Sequence, residues 1–306
     1  MMKFVRSIPM SICGLSLALA ALGNLLLPYG VGIRYMLGIL SAIVLVIFAL
    51  KLFLDSPHAL AELKTPVPLS VLPAATMAIM LLLTYIRPYI GDLAMYLWYA
   101  AIAVHLFIML LFFKRFILKF KIGTVYPTWF IVFVGLVTIS VTAPAMGARP
   151  VGQIAFYAGF ALYFIALTLI IYRMVKQIYV PEPLRLTAVI FTAPMSLCIV
   201  GYFASFEQRN EMLVYIMLTI AVVSYLYVSY RMLTAFLKTK FYPTYAAFTF
   251  PYVISAAAFR LGNDFLIERG HNFLSPLATL SEWVAVLIVI YVCVHYVRFF
   301  RYVLEF

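Results

Sequence analysis

Ala247-Phe248-Thr249-Phe250-Pro251-Tyr252 opens an apolar run with a proline set in its first half. The same arrangement returns at Pro9, Pro73, Pro127 and Pro194, and each of these runs is followed by an apolar run with no proline in its interior. A proline lacks the backbone donor and presses on the carbonyl four residues back, so proline-bearing and intact helices are expected to alternate. In lipid a broken helix is tolerated only where neighbouring helices or a water-filled cavity take up the freed backbone groups. The alternation therefore predicts kinked inner spans around a shared axis and intact outer spans facing the bilayer.

Composition sets the class. With 66% hydrophobic residues, 10% charged residues and a mean hydropathy of +1.09 over 306 residues, the chain cannot cover a soluble core with a polar skin. A hydrocarbon slab of about 30 Å takes roughly 20 apolar residues per helix. On that ruler ten spans are expected, at 8–27, 33–53, 69–86, 91–113, 125–143, 151–173, 185–206, 211–237, 244–266 and 274–300. The loops between them leave no room for a soluble catalytic domain, so residues 1–306 read as a single all-α transmembrane domain. The five prolines are spaced by 64, 54, 67 and 57 residues, about one helical hairpin each, which predicts five hairpins closing into a ring. Pro68, Pro150, Pro183, Pro243 and Pro276 instead fall at span starts, where the missing amide costs little.

The formal charge of +12 would suggest nucleic acid in a soluble protein, but in a membrane protein it is read by side, and no nucleic-acid partner is expected. The side holding both termini collects Lys3, Arg6, Lys51, Lys64, Lys114, Arg115, Lys119, Lys121, Arg173, Lys176, Arg185, Arg231, Lys238, Lys240, Arg298 and Arg301. The other side has Arg34, Arg87, Arg149, Arg209, Arg260 and Arg269. That imbalance puts both termini in the cytoplasm. Lys3 and Arg6 ahead of an apolar run imitate a signal peptide, but its removal would delete the first proline-bearing span. Cys13, Cys198 and Cys293 lie within spans without paired spacing, so neither disulfides nor a metal knuckle is indicated.

Acids deep in a membrane mark coupled transport, and these span centres are nearly bare of them. Glu282 is the one acid well inside a span, and Arg260 lies at similar depth, so the two form a candidate outer ion pair or vestibule. Phe250, at the expected bend before Pro251, is placed to occlude a narrow pore as a hydrophobic constriction, against the blander reading of a core phenylalanine. Thr76, Thr192, Ser196 and Thr249 are candidate pore hydroxyls. A pore without central charge would select by dehydration, passing nitrate more readily than chloride. The motifs of zinc peptidases, serine hydrolases and phosphate-binding loops are absent, and His105 and His295 are isolated in separate spans, so no enzyme, cofactor or metal site is expected.

Taken in order, Leu72-Pro73-Ala74-Ala75-Thr76-Met77, Ala193-Pro194 and Ala247-Phe248-Thr249-Phe250 resemble the TehA and plant slow-anion-channel family, also called the tellurite-resistance/dicarboxylate transporter (TDT) family. The resemblance spans essentially the whole chain. It implies a homotrimer in the bacterial plasma (inner) membrane, each subunit with its own pore, lined by the odd helices and closed by a phenylalanine, here Phe250. It implies inorganic or small organic anions as the permeating species. Pro251 departs from the family pattern, which implies glycine after the gate. The expectation is a passive channel for chloride- or nitrate-type anions. The alternative is a proton-coupled C4-dicarboxylate (malate-type) or tellurite-related transporter, in which Arg260 or Arg87 clamps a carboxylate and Glu282 takes the proton.

Overall fold

A computed structural model describes residues 2–176 and 178–305, and every described element is helical. Eight segments are long and apolar enough to cross a membrane: α2 (Val31–Leu54), α3 (Pro66–Ile90), α4 (Leu93–Ile117), α5 (Trp129–Met146), α6 (Arg149–Val175), α7 (Glu182–Ser205), α8 (Glu211–Lys238) and α10 (Ser275–Glu305). Two further helices, α1 (Ile12–Leu25) and α9 (Thr249–Ile267), are shorter or more polar. α1 has 14 residues, fewer than the roughly 20 a bilayer core asks for. α9 carries Arg260, Asn263 and Asp264 within its 19 residues.

Burial divides the eight sharply. In α3, α5 and α7, 72–78% of the apolar window is buried, against 28–33% in α2, α4, α6, α8 and α10. α1 and α9 are buried along almost their whole length and belong with the first set. α1 packs on α3, α3 on α5, α5 on α7, α7 on α9 and α9 back on α1. Each of these inner helices also packs on the outer helix that follows it. The close approach is visible at Val137, held between Gly159 of α6, where an added Cβ would come within 2.5 Å of its Cγ2, and Gly201 of α7, where one would collide with its Cγ1. Buried hydroxyls tie neighbours together by reciprocal bonds to backbone. Ser16 donates to the Ser41 carbonyl at 2.9 Å and Ser41 to that of Ser16 at 2.7 Å, and Ser205 donates to the Ser140 carbonyl at 2.8 Å. In four of the turns from an inner to an outer helix the chain reverses at a glycine with positive φ, Gly30, Gly91, Gly147 or Gly270. In the fifth, Asn210 caps α8 by accepting from the Leu213 amide at 2.9 Å.

The prolines act differently from the expected mid-helix kinks. Pro9 lies in the gap between a short helix, Met2–Ser7, and α1; Pro73 begins the long helical part of α3 after a break at Leu72. Pro194 and Pro251 fall in the first turn of a regular helix that takes over from a 3-10 segment, Leu186–Thr192 or Pro243–Phe248. A proline in a first helical turn lacks an amide that had no partner anyway, so the residue punctuates rather than bends. Pro127 is in the turn ahead of Trp129, outside the helix, and the interruption of α5 is instead the 3-10 stretch Val134–Leu136. At the first of these breaks the Ile12 amide bonds to Pro9 at 3.1 Å, and the freed Ile8 carbonyl accepts from the buried Lys51 Nζ at 2.6 Å. Both termini lie at one end, where the Phe4 and Phe300 rings meet at 5.2 Å.

Candidate functional site: cavities along the inner helices

Three cavities succeed one another inside the circuit of inner helices. At the end bearing the termini, a vestibule of about 540 Å³ is lined by Arg6, Lys51 and Glu62 and by Pro9, Pro66, Pro68 and Pro243 from the helix starts. Lys51 pairs with Glu62 at 2.5 Å and Arg6 with Asp55 at 3.7 Å, so both cations of this lining have a carboxylate partner. Ser11, Val67, Val71 and Thr244 belong both to the vestibule and to a second, narrow cavity of about 70 Å³. That inner cavity takes residues from α1, α3, α5, α7 and the approach to α9, and no charged side chain lines it. Beyond it an outer cavity of about 210 Å³ is lined by Ala21, Leu81, Thr138, Val200 and Ala257, again one from each inner helix, together with Arg260.

Phe250 and Leu197 are the residues common to the inner and outer linings. Both are buried, and they stand where one space ends and the other begins. Phe250 is the second residue of α9, immediately after the 3-10 segment. Leu197 gives no sequence signal of its own, being one leucine on a helix buried all round.

The four expected pore hydroxyls do not line either cavity. Thr76 donates to the Pro73 carbonyl at 2.7 Å and lies 2.8 Å from His105 Nδ1 on α4, so it faces an outer helix. His105 Nε2 is buried without a hydrogen-bond partner. Thr192 donates to Val189, Ser196 to Thr192, and Thr249 to Ala246, all within their own helices. Ser196 also meets Ser255 at 3.1 Å across the α7–α9 contact. Hydroxyls in inner helices satisfy the i−3 and i−4 carbonyls left loose by 3-10 geometry, and this competes with facing a lumen. The hydroxyl-bearing residues that do line the cavities are Ser11, Thr128, Thr187 and Thr244 on the inner side, where Ser11, Thr187 and Thr244 donate to backbone carbonyls and Thr128 accepts from Ser70, and Thr138 on the outer. Thr138 Oγ1 is buried and has no partner within the protein.

Arg260 and Glu282 form an ion pair across α9 and α10, and Arg260 also donates to the Leu25 carbonyl at the end of α1. Tyr29 completes this corner, with Arg260 Cζ 5.9 Å from its ring centroid and its hydroxyl bonded to Glu282, which pushes the phenol pKa up. Arg260 thus lines the outer cavity while being paired. Arg87 is paired with Asp92 at 2.9 Å at the surface end of α3, away from the cavity linings.

A helical membrane protein with successive apolar cavities enclosed by its most buried helices belongs to the class that moves small solutes across a bilayer. Residues 5–297 match the SLAC1 family model, described as voltage-dependent anion channel, and the chain is a member of that family. The family consists of anion channels and transporters rather than enzymes. No curated protein matches the chain in sequence.

Proposed function

We propose that this protein is a passive anion channel whose ten spans pair as five hairpins, with α1, α3, α5, α7 and α9 walling a conduit that Phe250 closes. The observation that carries the reading is that Phe250 lines the cavities on both of its sides, in company with Leu197. A phenyl ring and an isobutyl group that both line the junction of the two cavities repel water, and a dewetted constriction bars hydrated ions. Thr138, unpaired and beside this constriction, offers a hydroxyl to an anion that has lost part of its shell. Arg6 at one mouth, 59% exposed at its side chain and 3.7 Å from Asp55, and Arg260 at the other, paired with Glu282, leave guanidinium donors beside the passage for an anion. Under this reading weakly hydrated nitrate passes more readily than chloride. The lopsided cationic charge supports cytoplasmic termini, and the family resemblance supports a homotrimer in a bacterial inner membrane.

The test is anion flux through protein reconstituted in vesicles. Phe250→Ala is expected to open a nitrate and chloride leak, and an unchanged flux would return Phe250 to a packing role. A second reading, a proton-coupled C4-dicarboxylate carrier, is favoured by the Arg260–Glu282 pair beside the outer cavity. It requires malate uptake driven by a pH gradient and abolished in Glu282→Gln, whereas the channel requires uptake indifferent to the gradient.

A further inference from the structure

Outside the conduit, at the end bearing both termini, α6, α7 and α8 enclose a cavity of about 780 Å³. Tyr126 and Leu184 form the partition between it and the vestibule, so it opens away from the conduit, between two outer helices. Its walls towards the bilayer are apolar, with Ile171, Val223 and Tyr227 exposed on the membrane-facing sides of α6 and α8.

The rim is cationic. Arg173 lies in the last turn of the α6 helix and Arg231 in that of the α8 helix, so both sit at the depth where the spans meet water, and Arg185 joins them from the start of α7. Glu182 is the one carboxylate among the described lining residues, against these three arginines. Among the described residues none of the three arginines is in an ion pair. Arg185 spends its Nε on the Val180 carbonyl at 2.9 Å, and Arg231 stands 6.0 Å from the Phe236 ring, leaving most of their donors unused. Arg173 is buried, with its guanidinium 3.9 Å over the Tyr126 ring and one terminal nitrogen on the Val125 carbonyl. Its Nε is buried with no partner at all. A guanidinium held flat on an aromatic ring with an unspent donor is prepared for an oxyanion.

We propose that this cavity binds one anionic phospholipid, its phosphate among Arg173, Arg185 and Arg231 and its acyl chains along the groove between α6 and α8. The apolar wall and sideways opening select a lipid over a soluble anion. A basic pocket between spans at the cytoplasmic interface is the arrangement that recognises acidic headgroups. A second copy of the chain fits less well, since it would bring another strongly basic terminal end against this rim.

Native mass spectrometry of the purified full-length protein with phosphatidylglycerol and phosphatidylcholine of matched acyl chains tests this. Wild type is expected to retain phosphatidylglycerol preferentially, and Arg185→Gln/Arg231→Gln to lower that preference about tenfold. Arg185→Lys/Arg231→Lys should keep most of it, and Ser224→Trp, which fills the cavity without changing its charge, should lose it. Lys114→Gln/Lys119→Gln, at the same end but off the cavity, should leave it unchanged. Equal retention of the two lipids by wild type overturns the proposal, as does an equal loss in the Lys114/Lys119 control. Displacement of the lipid by millimolar inorganic phosphate would assign the site to a free anion. A changed subunit count in Arg185→Gln/Arg231→Gln with lipid retention intact would assign it to a second copy. Either result overturns it.

Discussion

The inner and outer helices are built from similar apolar residues but tolerate different backbones. α2, α6 and α10 run as regular helices of 24 residues or more, as α8 does over Glu211–Thr234, and with α4 they form the less buried set. The breaks and 3-10 stretches at the starts and centres of spans fall in the buried set, at Ile8–Ser11 ahead of α1, Leu72 in α3, Val134–Leu136 in α5, Leu186–Thr192 in α7 and Pro243–Phe248 ahead of α9, whereas the outer set departs from α geometry at C-terminal ends, in the π turn Phe113–Ile117 of α4 and the 3-10 turn Phe236–Lys238 of α8. A helix facing lipid must satisfy each backbone group within itself, whereas one enclosed by protein can borrow partners. Lys51 shows the borrowing directly, reaching from α2 to the Ile8 carbonyl that the first break sets free. The outer helices are regular through their centres, and the inner ones depart from that regularity beside the cavities they enclose.

The sharpest way to break this contrast is to remove the constriction. Phe250→Ala should raise anion current on the order of tenfold or more, equivalent to at least about 1.4 kcal/mol off the permeation barrier, whereas Leu226→Ala on the lipid face of α8 should leave current unchanged in the same recording. Next in size is packing between inner helices. Gly201→Val, whose side chain would enter the space of Val137, should cost about 1–3 kcal/mol, read as a lower unfolding temperature in detergent. Smaller is the outer mouth: Glu282→Gln releases Arg260 from its partner and should raise anion current roughly two- to fivefold, with the increase shrinking at high salt. Smallest is the outer face itself, where Leu226→Ala should shift stability by less than about 0.5 kcal/mol in the same melting assay.

Helical class and the eight helices long and apolar enough to cross a membrane are legible because hydropathy and length suffice for them; the other two of the ten expected spans correspond to a 14-residue helix, α1, and to the more polar α9. The ends of spans are not legible. The run expected at 8–27 is helical over Ile12–Leu25, because the Ile12 amide turns back to Pro9. Pro127 was read as a break within a span and lies ahead of one, since a proline in an apolar run looks the same in a turn as in a helix. Phe250 could be singled out because an aromatic beside a proline is conspicuous, but Leu197 and Thr138 could not. A helix buried on every side has no polar face to orient it, so the sequence of α5 or α7 does not say which residues meet the cavity. For the same reason the sequence offers Thr76, Thr192, Ser196 and Thr249 as candidate pore hydroxyls, although their hydroxyls serve backbone carbonyls and neighbouring helices. Lys51 falls on the side holding the termini, as its sequence position implies, but that it is buried there follows from the broken end of another helix, which no local pattern announces.

Thiol accessibility measures the central claim most directly. In a background lacking Cys13, Cys198 and Cys293, single cysteines replace Ala74 in the inner cavity and Ala257 in the outer one, and a small charged thiol reagent is applied from each side of the membrane. With Phe250 present, Ala74→Cys should react only from the side bearing the termini and Ala257→Cys only from the opposite side; with Phe250→Ala, each should react from both. Labelling from both sides while Phe250 is intact, or one-sided labelling that persists after its removal, would contradict a conduit closed by that ring.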